Sequence, residues 1–429
     1  MFCQLEVLRH CFPSSVRLIL EELPETLDGT YERILREIRK PNQGHAHRLL
    51  QCLVAAARPL RVEELAEVLA FDFNSEGIPK LNPGWRWKNQ EEAVMSACSS
   101  LAMIVKDGDS RIVQFSHFSV KEYLTANRLA EPIRDVSRYY IRLEAAHTIL
   151  AQACLGVLLR LDDLIDHNSI ENFPLSRYAA QYWATHARFE NASLRIKDGM
   201  ECLFDADKPH FATWLWISNE DQDGRSMSTM RPEKPAAVPL YHAIMLGFRD
   251  LAKQLIAKHP EHVNVRCGVR GTPMHAAAIA GHVDILSLLF EHGGDLEGRN
   301  GYNRTPLHEA SYNGNIDAQQ YLLNRGADID VRDNIDFTPL FWAVNNGHVE
   351  SVRMLLERGA RTDVPHNTVS YGTVLHWGVE RGNIQVMRLL LEHGADVNAR
   401  NKSGQTPSQL TEQQEIVELL SKYEAKSGE

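Results

Sequence analysis

A four-residue phrase returns through the back half of this chain and limits what that half can fold into. Thr272-Pro273-Met274-His275 recurs as Thr305-Pro306-Leu307-His308 and as Thr338-Pro339-Leu340-Phe341. Thr373-Val374-Leu375-His376 and Thr406-Pro407-Ser408-Gln409 follow. The threonines are 33, 33, 35 and 33 residues apart, a period that calls for stacked units rather than one closed core. Within a unit, Thr is placed to cap a helix and Pro to fill its first turn. Nine residues after each of four threonines stands Gly281, Gly314, Gly347 or Gly382, where a left-handed residue would end that helix. A second apolar run comes next: Ile285, Leu288, Leu289; Ala318, Tyr321, Leu322; Val352, Leu355, Leu356; Val386, Leu389, Leu390. Its spacing marks one buried helix face. Gly293, Gly326, Gly359 and Gly394 stop that helix. Each unit is therefore two helices and a protruding turn.

These residues resemble the ankyrin repeat. Gly-Ala-Asp at 326–328 and 394–396, and Gly-His-Val-Asp/Glu at 281–284 and 347–350, match its pattern as well. The resemblance covers about residues 236–429 and about six repeats, with a weaker first copy at Val238-Pro239-Leu240-Tyr241 and a polar, shortened last copy suited to face solvent. Phe341 replaces the usual His, Val374 the usual Pro and Gly378 the usual Ala, and the loop before Thr373 is two residues longer. The surface there is expected to be unusual.

Residues 1–235 lack the period. The first 40 residues read as helices broken at Pro13 and Pro24, and Leu49, Leu50, Leu53 and Val54 form a helical stripe. A helix over Val62–Leu69, a polar Trp-bearing loop over 74–90 and a helix over Ala93–Leu101 follow. Met103–Val105 and Ile112–Phe115 bracket Lys106-Asp107-Gly108-Asp109-Ser110, a hairpin with an Asp-Gly turn signal. Ser119–Leu129 is helical again. Helices followed by a hairpin predict a winged-helix arrangement. Leu23-Pro24-Glu25-Thr26-Leu27-Asp28 with Thr30-Tyr31-Glu32-Arg33-Ile34-Leu35 resembles the helical segment behind a NACHT nucleotide-binding domain. Arg58-Pro59-Leu60-Arg61-Val62-Glu63-Glu64-Leu65 and Phe115-Ser116-His117-Phe118-Ser119-Val120-Lys121-Glu122-Tyr123-Leu124 are similar to the winged helix of fungal NACHT–ankyrin proteins, the type named after GPI inositol-deacylase.

The expected architecture is mostly α: a winged-helix module, an α-helical connector and an ankyrin-repeat solenoid. Residues 1–22 would be the tail of the NACHT-associated region, 23–132 the helical segment plus winged helix, 133–235 the connector and 236–429 the repeats. The connector carries Tyr139, Tyr140, Phe173, Tyr178, Tyr182, Trp183, Trp214 and Trp216.

Composition narrows the function. Residues 24–130 hold 14 basic and 14 acidic side chains, and the chain's net charge is −10, so the winged helix lacks the cationic footprint of DNA binding. Seven widely spaced cysteines without a C-x-x-C pair fit a reduced, cytoplasmic protein. The apolar run near 148–159 is too short to span a bilayer. No G-x-x-x-x-G-K-[S/T], G-x-S-x-G or H-E-x-x-H occurs, so neither phosphate cradling, lipase chemistry nor a zincin site is expected. No Cys/His spacing matches a zinc site, and neither a metal nor a cofactor is expected. The chain is expected to begin after the ATPase domain that the resemblance implies.

The resemblance to NACHT-type receptors implies a role for His117. In their F-x-H-x-S-x-x-E-Y/F pattern, matched by Phe115, His117, Ser119, Glu122 and Tyr123, this His lies against an ADP phosphate. The alternative is a His at a strand–helix junction that bonds backbone. The implied function is protein recognition, as the sensor half of a NACHT–ankyrin receptor of the fungal self/non-self, innate-immunity type. A free-standing ankyrin scaffold or adaptor is the other reading; a P-loop reading frame upstream of Met1 would favour the first. The partner would be a protein, not nucleic acid or membrane, bound on the concave surface and turns. Side chains left free by the repeat are Tyr302, Arg304, Ile335 and Phe337 on the turns. On the first helices they are Tyr312, Asn313, Asn345, Asn346, Glu380 and Arg381. Ile335 and Phe337 alternatively pack against the neighbouring turn.

Overall fold

Apolar spacing and capping residues become helices, glycines become stops, and the whole is mostly α as expected. The computed structural model describes residues 26–73, 77–131, 135–161, 167–223, 239–364 and 372–427. The helices expected around Pro13, and the break at Pro24, lie outside them. Two compact units emerge, Met1–Lys234 and Pro235–Glu429.

In the first unit, α1 (Leu27–Glu37) starts at Thr26, whose hydroxyl accepts from Gly29 N at 3.1 Å. Helices α2 (Gln43–Ala55), α3 (Val62–Val68) and α4 (Gln90–Cys98) follow. In α2 the stripe faces the core, with Leu49, Leu50 and Val54 buried. The wing is a three-stranded antiparallel sheet, ordered β1 (Leu60–Arg61), β5 (Ser110–Phe115), β4 (Ala102–Asp107). Asp107 pairs with Ser110, so the hairpin turns on two residues, Gly108 and Asp109, and both strands run further than the apolar residues alone indicate. The stretch 74–90 is not all loop. β2 (Phe71–Asp72) pairs with β3 (Lys80–Leu81), because Phe71 and Leu81 sit opposite each other and are both buried.

α5 (Phe118–Thr125) ends earlier than Leu129, and a separate 3-10 turn covers Asn127–Ala130. The connector helices α6 (Leu143–Leu158) and α7 (Ser176–Ala187) pack on each other, and α6 packs on α2. Most of the connector's aromatic residues are core: Tyr139, Tyr178, Trp183, Trp214 and Trp216 are all buried. Buried polar groups clip α7 to the start of the wing. Glu64 receives two bonds from Arg58, at 2.7 and 2.9 Å, and one from Arg61 N at 2.8 Å. Arg58 lies 5.0 Å from the centre of the Tyr178 ring, and the Tyr178 hydroxyl accepts from Ala57 N at 3.1 Å.

The second unit is a stack of helix pairs. The first helices are Pro239–Met245, Pro273–Ala280, Pro306–Asn313, Pro339–Asn345 and Val374–Arg381. The second helices are Arg249–Lys258, Val283–Glu291, Ile316–Asn324, Val349–Glu357 and Ile384–Glu392. A last unit follows as a 3-10 turn, Pro407–Leu410, and a helix, Gln414–Ser427. We number these repeats 1 to 6. Gly281, Gly314 and Gly382 end their helices with φ of 72°, 69° and 70°, as the spacing requires. Each first helix packs on the first helix of the next repeat, which buries Met274, Leu307, Leu340 and Leu375 completely. Among the described residues no helix is long and apolar enough to cross a membrane.

Candidate protein-interaction surface on the repeats

The surface rests on a histidine clip. Thr305 N donates to His308 Nδ1 at 3.1 Å, which leaves the proton on Nε2, and Nε2 donates to Phe337 O of the next turn at 2.9 Å. His275 reaches Arg304 O in the same way at 2.9 Å, and His376 reaches Gln405 O at 3.1 Å. Each histidine thus closes its own helix start and fixes the neighbouring turn. The clip needs a neutral ring, and burial supplies it by lowering the pKa of His275 and of His308 to about 4.

Repeat 4 has Phe341 at this station and works differently. Thr338 still caps its helix, accepting from Phe341 N at 3.3 Å. The Phe341 ring stacks on Phe337, with centroids 3.6 Å apart and planes 17° from parallel. A polar clip has become an apolar one.

Each turn is shaped by its first residue. Asn300 Oδ1 accepts from Tyr302 N and Arg304 N, at 2.9 and 3.0 Å. Asp333 Oδ1 accepts from Ile335 N and Phe337 N, at 3.0 and 2.9 Å. Asn303 and Asp336 take the left-handed corner, with φ of 58° and 64°, which short polar side chains tolerate. The third residue of the turn is left outside: Tyr302 is 53% exposed and Ile335 38%. The fifth turns inward. Phe337 is therefore not a free side chain but buried at 6%, because Phe341 offers it a ring to stack on. The alternative of packing against the neighbouring turn is met by neither: Phe337 packs on Phe341 of the helix that follows, and Ile335 stays exposed.

Arg304 also turns inward. Its guanidinium lies 3.7 Å from the centre of the Trp342 ring, 5.5 Å from Tyr302 and 5.6 Å from Tyr312. Its Nε stands 3.4 Å from Asp333 Oδ2, and its Nη1 3.9 Å from Glu309 Oε1. Trp342 Nε1 donates to Asp333 Oδ2 at 3.1 Å, so one buried carboxylate fixes both the ring and the cation above it. Burial raises the Glu309 pKa, against the pull of Arg304. Arg304 is thus mostly buried, in a charge-paired stack rather than on a free turn.

The aromatic strip continues into repeat 5. Phe341 and Trp377 lie 5.2 Å apart. Trp377 Nε1 and an Arg381 Nη2 both donate to Asn345 Oδ1 at 2.7 Å, and Arg381 sits 5.0 Å from the Trp377 ring. Tyr312, 41% exposed, packs on Trp342 at 5.5 Å. Asn346 is exposed, and its Nδ2 donates to Tyr312 O at 2.8 Å. Asn313 and Glu380 are exposed as well, Asn313 with its amide donating to Glu309 O at 2.8 Å. The structure therefore joins Tyr302, Arg304, Tyr312, Asn345, Asn346 and Arg381 through shared rings and hydrogen bonds. Ile335 meets this network only through its backbone N–H on Asp333, and among the described residues no side-chain hydrogen bond or ring contact ties Ile335 or Glu380 to it.

Sequence reasoning missed Trp342 and Trp377. Both stand four residues after a repeat threonine, where repeats 2 and 3 carry Ala276 and Glu309. Variation at that station, from Ala to Glu to Trp, was the available signal.

His117, in the first unit, caps α5. Its Nδ1 accepts from Ser119 N at 3.3 Å and lies 2.6 Å from Ser119 Oγ, which in turn is 2.7 Å from the Tyr31 hydroxyl. The ring is exposed, beside a Phe118 that is 72% exposed. With Nδ1 accepting, Nε2 carries the proton.

Ankyrin-repeat family models match residues 240–333 and 340–428, and a further one matches 316–356. The model of the GPI inositol-deacylase winged helix domain matches residues 31–133. The chain is 31% identical over 296 residues to azaphilone pigments biosynthesis cluster protein L of Monascus ruber, covering 65% of this chain and 62% of that protein. It is 30% identical over 91 residues to ankyrin repeat domain-containing protein 49 of Bos taurus, 19% of this chain and 38% of that one. Alpha-latrocrustotoxin-Lt1a of Latrodectus tredecimguttatus is 40% identical over 58 residues, 14% of this chain and 4% of the toxin. The chain thus spans less than two thirds of the length of these curated relatives. Ankyrin repeats and a winged helix domain of the GPI-inositol-deacylase type are both present.

Proposed function

We propose that this chain recognises a partner protein through the strip built by Tyr302, Arg304, Tyr312, Trp342, Trp377 and Arg381. Ankyrin repeats generally mediate protein–protein interactions, and these repeats carry an unusual concentration of rings and guanidinium groups on one run of first helices and turns. The observation that carries the choice is Arg304, held over the Trp342 ring by Asp333 and flanked by two exposed tyrosines. Aromatic and Arg side chains dominate binding hot spots, and rings already locked by hydrogen bonds lose little freedom on binding. The reading assigns the chain no catalytic activity.

The experiment is a pair of partner selections, by two-hybrid or by affinity capture, with wild type and with Tyr302→Ala combined with Tyr312→Ala. Both side chains are substantially exposed, so the variant should fold. Binding of any partner selected by wild type should fall at least tenfold. Undiminished binding by the folded double variant would move the site elsewhere.

In the same reading the chain serves as the recognition half of a NACHT–ankyrin signalling receptor of the fungal self/non-self type, working in the cytoplasm. Support comes from the pairing of this winged helix type with ankyrin repeats in one chain. The match to the M. ruber protein is longer than the repeat unit, so the likeness extends into the front half. His117 adds an exposed ring with a protonated Nε2, fit to meet a phosphate oxygen.

A further inference from the structure

The loop joining repeat 1 to repeat 2 departs from its equivalents. After Lys258 it reads His259-Pro260-Glu261-His262-Val263-Asn264. The same stations in repeat 2 are His292-Gly293-Gly294-Asp295-Leu296-Glu297, and in repeat 5 His393-Gly394-Ala395-Asp396-Val397-Asn398. In those repeats the histidine closes its own helix: His292 Nδ1 donates to Leu288 O at 2.8 Å and His393 Nδ1 to Leu389 O at 2.9 Å. The aspartate shapes the turn that follows, accepting at 2.9 Å from Glu297 N and from Asn398 N.

Repeat 1 drops both duties. Pro260 stands where the others have a left-handed glycine, and proline cannot take that conformation. His259 caps its helix at φ −135°, and a 3-10 turn runs over Pro260–Asn264. His262 replaces the aspartate. The released side chains converge instead. His259 Nδ1 lies 3.2 Å from Glu261 Oε1, and His262 Nε2 lies 3.8 Å from the same oxygen. The two imidazoles stack with centroids 4.9 Å apart and planes 18° from parallel. One ligand atom from each of the three residues lies within 4.8 Å of the other two.

We propose that His259, Glu261 and His262 form a site for a divalent transition ion of the zinc type, with the remaining position open to water. Two imidazoles and one carboxylate are a ligand set that such ions prefer, whereas calcium and magnesium take oxygen ligands. Ligands about 2.0–2.2 Å from one zinc stand roughly 3.3 Å apart around a tetrahedron, close to the 3.2 and 3.8 Å separations found, and one imidazole must turn out of the stack so that both ring planes meet at the ion. All three side chains reach solvent, at 19, 63 and 25% exposure in chain order, so an ion can enter. The competing account is a plain His–Glu ion pair. Such a pair employs one imidazole and gives no role to the second, which stands 3.8 Å from the same carboxylate oxygen.

The test uses the full chain stripped with a chelator. Zn2+ titration by calorimetry, and Co2+ titration followed by its visible absorption, should show one saturable site with a nitrogen-containing ligand spectrum. His262→Ala and Glu261→Gln should each weaken binding at least tenfold while the circular dichroism of the fold is unchanged. Zn2+ should raise the unfolding midpoint of wild type and not of the variants. The proposal is overturned by the absence of saturable binding. It is equally overturned by binding that both variants retain, which would place the ion among the chain's other histidines.

Discussion

The histidine clips show how one side chain serves two repeats. His308 satisfies Thr305 N in its own helix and Phe337 O in the next turn, both away from water. His308→Ala strands both groups, and each unsatisfied buried group costs about 1–3 kcal/mol. Denaturant unfolding should show a loss of about 2–6 kcal/mol for the two groups together, with the slope unchanged. The clips also set a pH dependence. Burial holds His275 and His308 at about 4 and His186 at about 3, against an ordinary 6.5. Between pH 6.5 and about 4 the unfolded chain binds more protons than the folded one, so stability is full above 6.5 and falls as pH drops through this window. Urea midpoints measured from pH 7 to pH 4 should fall steadily. A flat profile would mean that these rings are not held neutral. The replacement of His by Phe341 removes one titrating clip and supplies the ring that draws Phe337 inward.

Elements owe their stability here mainly to their neighbours. Leu307 is wholly buried between the first helices of repeats 2, 3 and 4, which pack in series. Leu307→Ala should cost about 2–5 kcal/mol, the usual range for emptying a core Leu site. The loss should appear in the hydrogen exchange of repeats 2 and 4 as well as 3, because repeat arrays share interface energy. Protection lost in repeat 3 alone would contradict that coupling. Polar groups join the elements too: Gln319 and Ser351, both buried, bond at 2.6 Å between the second helices of repeats 3 and 4. In the front unit the pairing of β2 with β3 leans on α6 at Gly156. A Cβ there would meet the Phe71 ring at 2.6 Å and Pro79 O at 2.8 Å, so the strand pair lies close only because this helix position is bare.

At the scale of the whole chain, the proposed reading puts recognition on the repeats and nucleotide sensing on the winged helix. The repeats offer the ring-and-guanidinium strip, and the winged helix offers His117. The sequence contains no P-loop, so the purified chain is expected neither to bind ATP or ADP with micromolar affinity nor to hydrolyse ATP. Calorimetry checks this directly. A fungal NACHT domain added in its ADP form should form a complex that His117→Ala weakens at least tenfold. Micromolar nucleotide binding by the chain alone, or a complex indifferent to His117, would sink the receptor reading.

Much of this protein could be read from the order of its residues, because the relevant physics acts over short stretches of chain. A threonine, a proline and a left-handed glycine at set distances define a helix and its end, and repetition at 33 residues defines a stack. The hairpin and the α2 stripe are legible for the same reason. Whether a side chain is free was not. Phe337 and Ile335 occupy nearby stations of one turn, yet only Phe337 finds a ring, and that ring comes from the helix that follows. Arg304 reads as a turn cation until Asp333 and Trp342, 29 and 38 residues later, close around it. β1 reaches β5 across the whole of α3 and α4, and His259, Glu261 and His262 meet only because a proline bends the loop out of the repeat pattern. Local geometry is written in neighbouring residues. Burial, charge pairing and ligand convergence depend on which distant side chains arrive beside them, and only packing decides that.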